Sequence, residues 1–106
     1  ESMAGLLRQL ARQLNESLRQ AEDAVDQPAA LAAIAHTLAG AAGNCQAVRV
    51  SRRARALENA INAGEPIETV VAALREAIEA TLPAVADRIA RLTEETTHPA
   101  PRVAAQ

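Results

Sequence analysis

The sequence contains no phenylalanine, tryptophan or tyrosine, although 49% of its 106 residues are hydrophobic. A core must therefore be built from leucine, isoleucine, valine and a large number of alanines. Alanine has the highest helix propensity of all residues, so this composition favours an all-α domain. The lack of aromatic rings removes the platforms on which nucleic-acid bases stack. A formal net charge of −2 gives no overall basic surface for nucleic acid or an anionic membrane.

Cysteines and long hydrophobic runs are also scarce. Cys45 is the single cysteine and has no partner within the chain for a disulfide, which is typical of a reducing, cytoplasmic compartment. No run approaches the roughly 18 apolar residues that cross a bilayer. No His or Cys stands three or four positions from His36, as a helical zinc site requires. We expect a cytoplasmic domain that makes no direct membrane contact and binds no metal or cofactor itself.

Apolar residues recur at intervals of three and four along most of the chain, which is the period of amphipathic helices. Prolines and glycines separate four such segments, and short connections between helices favour antiparallel neighbours. The sequence therefore predicts an all-α fold, an antiparallel four-helix bundle. The predicted helices cover residues 3–25, 29–43 and 47–63, and a fourth begins near Pro66.

The end of the fourth helix has two irregular features. Pro83 lies inside its apolar pattern, and because proline removes a backbone hydrogen bond, a kink near Ala80 or a short break is expected. After Thr93 the periodicity is lost and prolines become frequent. We therefore expect the bundle to cover residues 1–93 and a flexible C-terminal tail or linker to cover residues 94–106.

His36 lies off the apolar stripe of the predicted second helix. At about 100° per residue, the side of the helix that carries His36 has no side chain larger than a methyl group among its neighbours Ala29, Ala32, Ala33, Ala39, Gly40 and Gly43. An ordinary solvent-exposed face carries Lys, Glu or Gln. A glycine inside a helix costs about 1 kcal/mol relative to alanine. We interpret this surface as a docking site with a nucleophile or ligand at its centre.

The same residues resemble a known motif. Histidine-containing phosphotransfer (HPt) domains of bacterial multistep phosphorelays carry a phosphorylatable histidine in a pattern close to His-x-Leu-Lys-Gly, followed by small residues and later by a Leu-Glu pair. The segment from His36 to Asn44 matches the histidine, leucine, glycine and small-residue positions, and Leu57-Glu58 matches the later pair. Ala39 occupies the lysine position, and Gln46 occupies the place of a second glycine. The similarity in helix spacing extends over about residues 4–93.

The resemblance implies that His36 accepts a phosphoryl group, most simply on Nε2, from the aspartyl phosphate of a response-regulator receiver domain and returns it to another receiver. The chain lacks a cluster of carboxylates for Mg²⁺, so the metal and most of the transition-state stabilisation are expected from the partner receiver. The domain is then a phosphotransfer intermediate, either free-standing or the terminal module of a hybrid sensor histidine kinase of the inner membrane.

One strong charge cluster, of four arginines, lies on the predicted third helix. It is either a solvated face or a basic rim beside the His36 surface, which attracts an acidic partner or stands in for the missing lysine of the motif. Nucleic acid is a weaker alternative as the partner, because the net charge of the chain is negative. For the whole domain, the alternative to a phosphoryl carrier is a non-catalytic docking module that binds a receiver or another partner without phosphotransfer. The candidate partner-binding residues are Ala32, Ala33, Ala39, Gly40, Gly43, Arg49, Arg52 and Arg53.

Overall fold

The computed structural model describes residues 2–45 and 47–97, without the side chains of residues 95–97. Gln46, at the place of the second glycine in the motif, and residues 98–106 of the predicted tail lie outside the described residues. The described part contains four helices and no strand, which confirms the all-α prediction. The helices are α1 (Met3–Asp23), α2 (Pro28–Asn44), α3 (Val48–Asn62) and α4 (Glu68–Thr97). None of these helices has the length and hydropathy that a membrane span requires.

The four helices form a bundle in which each helix packs against two others, in the cyclic order α1, α2, α3, α4. Side-chain contacts at both ends of α1 and α4 show that these two helices are antiparallel. Arg8 near the start of α1 donates to Thr93 near the end of α4 over 3.1 Å, whereas Arg75 in α4 donates to Glu22 at the end of α1 over 2.9 Å. Short connections make the other neighbouring helices antiparallel as well.

The core is aliphatic and rich in alanine, as the composition predicts. Alanines from all four helices, such as Ala21, Ala35, Ala54 and Ala77, are at most 2% exposed. Such small side chains let the helices approach closely, so that each helix is held at a defined rotation about its own axis. The largest fully buried side chains are Leu14, Leu31, Leu38, Leu57, Leu74, Ile78, Val50 and Ser17.

The short break expected at Pro83 is absent, because α4 is continuous through it, and the alternative, a kink near Ala80, stays a prediction. Pro83 cannot donate to the carbonyl of Glu79, but both residues are exposed, so water can satisfy that carbonyl. The helix also continues past Thr93 to Thr97, so the first four residues assigned to the tail are helical. Each residue added to an existing helix forms one more backbone hydrogen bond. The helix can therefore continue beyond the point where the periodic pattern of apolar residues ends.

Candidate functional site

Helix α2 presents His36 to solvent. Pro28 stands in its first turn, where the fixed φ of proline favours helix formation. Leu31, Ala35 and Leu38 are at most 1% exposed and hold one side of the helix against the core. The side chain of His36 is 76% exposed and is the only titratable side chain of α2. The imidazole therefore stands on a neutral, sparsely covered surface.

Glu58 of α3 binds one nitrogen of the His36 ring. Nδ1 lies 3.1 Å from one carboxylate oxygen of Glu58 and 3.4 Å from the other. An ionised carboxylate only accepts hydrogen bonds, so the neutral ring carries its hydrogen on Nδ1 and donates it to Glu58. Nε2 then keeps its lone pair, and it has no hydrogen-bond partner among the described residues. This is the state in which a histidine acts as a nucleophile.

Glu58 matches the Leu-Glu pair of the motif, but the sequence alone assigns it no role at the site. The sequence does contain a sign of such a role, because Glu58 is the only acidic residue of α3 and directly follows the buried Leu57. Its side chain is 26% exposed, which places it at the edge of the buried stripe. The contact with His36 also depends on how α3 is aligned with α2, and no pattern within either helix specifies that alignment.

Ser51 links α3 to α2 through a buried hydrogen bond. Its hydroxyl donates to the backbone carbonyl oxygen of Ala39 over 2.9 Å, and this bond is buried. Ser51 lies about two helical turns before Glu58 on α3, so the hydroxyl contact and the contact with His36 hold the two helices together at two levels. A polar residue in the buried stripe of α3 thus positions the carboxylate beside the imidazole.

The small-residue surface of α2 is observed, with one correction. Ala33, Gly40 and Gly43 are exposed, and Ala32 is half-buried. Ala39 is 2% exposed and belongs to the core, so it does not lie on this surface. The reason is its direction, because it projects about 60° from His36 towards α3, which covers it. The role of the exposed residues in partner binding stays a prediction.

Gly40 has no packing reason to be glycine. A Cβ atom at this position would have no heavy atom within 4 Å, and the residue is exposed in the middle of α2. Alanine would be more stable there, because glycine in a helix interior is less favourable. The glycine therefore leaves open space above the helix, one turn after His36.

The arginines of α3 are all exposed, but the predicted rim beside His36 needs correction. At about 100° per residue, all three predicted arginines project at least 120° from Glu58, so they point away from the side that contacts α2. The angles are about 180° for Arg49, 140° for Arg53 and 120° for Arg52. Arg55, which the predicted binding set does not include, projects about 60° from Glu58 and lies one turn before it. A shallow depression of about 490 Å³ on the outer side of α3 is lined by Val48, Arg49, Arg52 and Arg53.

Metal ligands are scarce around His36. Among the described residues, no group of three or more His, Cys, Asp or Glu side chains could hold a metal ion. Cys45 is half-buried and free. The site consists of one imidazole, one carboxylate and an open surface, which is an arrangement suited to a nucleophile that a partner approaches.

Comparison with known proteins identifies the family. A family model described as Hpt domain matches residues 1–95, a range that includes His36, Glu58 and all but the end of α4. A search of curated proteins found no significant match, and a search of solved structures found none either. The family match covers most of the chain and agrees with the four-helix bundle. The protein therefore belongs to the Hpt domain family, the histidine phosphotransfer domains that exchange phosphoryl groups with receiver domains in phosphorelays.

Proposed function

We propose that the protein carries a phosphoryl group on Nε2 of His36, which it accepts from the aspartyl phosphate of one receiver domain and passes to the aspartate of another. The contact of 3.1 Å between Nδ1 of His36 and the carboxylate of Glu58 carries this proposal. It leaves Nε2 as the free nitrogen of a ring that is 76% exposed. Membership of the Hpt family supports the same role.

The two ring nitrogens of His36 have different roles in the transfer. The lone pair of Nε2 attacks phosphorus, the bond from phosphorus to the aspartate oxygen breaks, and its electron pair leaves on the receiver carboxylate. Because Nδ1 keeps its hydrogen, the imidazole becomes positively charged as the N–P bond forms. The carboxylate of Glu58 faces that developing charge and stabilises it. Transfer to the second receiver runs through the same steps in reverse.

The partner receiver supplies the remaining chemistry in this proposal. The described residues hold no metal-binding group, so Mg²⁺ on the receiver would neutralise charge on the phosphoryl oxygens. The open surface around Gly40 lets receiver loops approach Nε2. We place the domain in the cytoplasm, free-standing or joined to a hybrid sensor kinase; its family and its single cysteine support this placement.

Phosphoryl transfer from a phosphorylated receiver tests the proposal. The wild-type protein should gain an acid-labile label, and His36→Gln should gain none while still binding the receiver, because glutamine adds no charge to the docking surface. His98→Gln is the matched control, since His98 is the only other histidine of the chain, and it should be labelled like the wild type. If receivers that bind the domain leave the wild type unlabelled, the protein is a docking module that does not transfer phosphate.

A further inference from the structure

Phosphorylation of His36 would place two negatively charged groups next to each other at the site. The phosphoryl group brings negative charge close to the carboxylate of Glu58, which contacts the same ring. Helix α2 contains no basic residue besides His36, and the lysine position of the motif is the buried Ala39. All 11 Lys and Arg residues of the chain are arginines. Any Lys or Arg of this chain that contacts the phosphoryl group is therefore an arginine of another helix.

Most arginines outside α3 are already engaged with other side chains of the protein. Their partners are a threonine hydroxyl or a carboxylate, and these contacts hold α1 to α4 or link successive turns of one helix. The engaged arginines are Arg8, Arg19, Arg75 and Arg91. The four arginines of α3 have no hydrogen-bond or ion-pair partner among the described residues. Arg12 of α1 and Arg88 of α4 are likewise unpaired there, but α3 is the helix whose side chain contacts the imidazole.

Arg55 is the arginine of α3 that lies closest to the His36 site along the helix. It comes four residues after Ser51 and three residues before Glu58, and both of these side chains contact α2. At about 100° per residue, Arg55 projects about 60° from Glu58 towards solvent. The rise of the helix separates the two residues by about 4.5 Å along the axis. An extended arginine side chain spans that distance readily.

Helix α2 leaves room for this side chain. Gly40 lies one turn after His36 on α2. Because α2 and α3 are antiparallel, moving from His36 to Gly40 corresponds to moving along α3 from Glu58 towards Ser51. Arg55 lies between those two levels. A Cβ atom on Gly40 would meet nothing within 4 Å, so no side chain fills the surface of α2 at this position.

We propose that Arg55 binds the phosphoryl group of phosphorylated His36 and supplies from α3 the cation that the motif places on α2. The inference rests on the proposed function of His36. The guanidinium is planar and forms paired hydrogen bonds with phosphate oxygens. Glu58 then stabilises the ring from Nδ1, and Arg55 stabilises the phosphoryl group on Nε2.

Direct phosphorylation by phosphoramidate, a small donor that needs no receiver, tests Arg55. Phosphorus NMR measures the yield of phosphorylated His36 and its rate of decay in the wild type, Arg55→Gln, Arg55→Lys and Arg49→Gln. For an exposed charged contact we expect Arg55→Gln to lower the yield, or shorten the lifetime, about two- to fivefold. Arg55→Lys should retain most of the effect, because it keeps the charge. Arg49→Gln, on the opposite side of α3, should behave like the wild type.

Several results would overturn the role of Arg55. They are an Arg55→Gln variant with wild-type yield and lifetime, an Arg49→Gln variant that is equally impaired, or a wild-type protein that phosphoramidate does not label. Helical circular dichroism of each variant verifies that it is folded. Because the assay uses no receiver, its result is separate from that of the receiver experiment. A domain that phosphoramidate labels but receivers do not would contradict the proposed function and leave the result for Arg55 standing.

Discussion

At the scale of single residues, the contact between His36 and Glu58 determines what the imidazole can do. A histidine with two free nitrogens exchanges its hydrogen between them, and only part of the population has a lone pair on Nε2. The carboxylate at 3.1 Å favours one tautomer and adds a negative charge next to the ring. Orientation and charge are two separate contributions, and different substitutions of Glu58 separate them.

Replacing Glu58 tests both contributions. Glu58→Ala removes the acceptor and the charge, so the rate of transfer from a saturating phosphorylated receiver should fall about tenfold or more, as for loss of a hydrogen bond to a charged group. Glu58→Gln keeps an acceptor oxygen without the charge and should give an intermediate rate. The measurement is rapid-quench phosphotransfer, with Glu65→Ala, an exposed carboxylate beyond α3, as the control. An unchanged rate in Glu58→Ala would show that Glu58 does not act on His36.

At the scale of elements, α2 contains an exposed glycine, Gly40, which lowers helix stability and leaves the outer side of the helix without a side chain. Gly40 is exposed, and no neighbouring atom requires a glycine there. Gly64, which follows α3, differs, because its φ of +71° lies in the left-handed region that favours glycine. The two glycines therefore predict opposite effects on stability for the same substitution.

Substitution of Gly40 should separate stability from function. Gly40→Ala should raise the free energy of unfolding by about 0.5–1 kcal/mol, because it improves helix propensity without a clash. The same methyl group stands on the docking surface, so transfer from a receiver should become slower. Gly64→Ala should instead lower the free energy of unfolding by about 1 kcal/mol and leave transfer unchanged. Urea denaturation and phosphotransfer measure both effects, and a Gly40→Ala protein with normal transfer would argue against close approach at this position.

At the scale of the whole molecule, the packed bundle supports the exposed His36 and the carboxylate beside it. Leu57 is fully buried and directly precedes Glu58, so core packing and the position of the carboxylate are linked through one short stretch of α3. In a core without aromatic rings, individual leucines supply a large share of the buried volume. The stability of a domain is the small difference between large opposing terms, which makes such positions sensitive.

Truncation of Leu57 should therefore be strongly destabilising. Leu57→Ala leaves a cavity and should lower the free energy of unfolding by about 2–5 kcal/mol, as measured by chemical denaturation. Val48→Ala is the matched control on the same helix, because Val48 is 53% exposed and its loss should change stability by less than about 0.5 kcal/mol. Equal effects of the two substitutions would contradict the packing of α3 in the bundle.

The sequence by itself determined the four helices and the outward direction of His36. Periodicity and propensity act over a few residues, so the side of α2 that carries Leu31 and Leu38 was recognisable as buried without any knowledge of its neighbours. Helix ends were predicted to within about two residues wherever a proline or glycine stood close to them. The exception was the end of α4, because the apolar pattern stops at Thr93 while the helix continues to Thr97.

Only the tertiary structure decided what surrounds His36. The burial of Ala39, the contact with Glu58 and the direction of Arg55 all depend on how α3 is rotated and shifted against α2. The buried bond from Ser51 to the carbonyl of Ala39 and the packing of alanines between the helices set that alignment. These interactions join residues from different helices, and the periodicity of one helix carries no information about its register with another. The sequence alone could therefore identify His36 as the candidate nucleophile but not the groups that contact it.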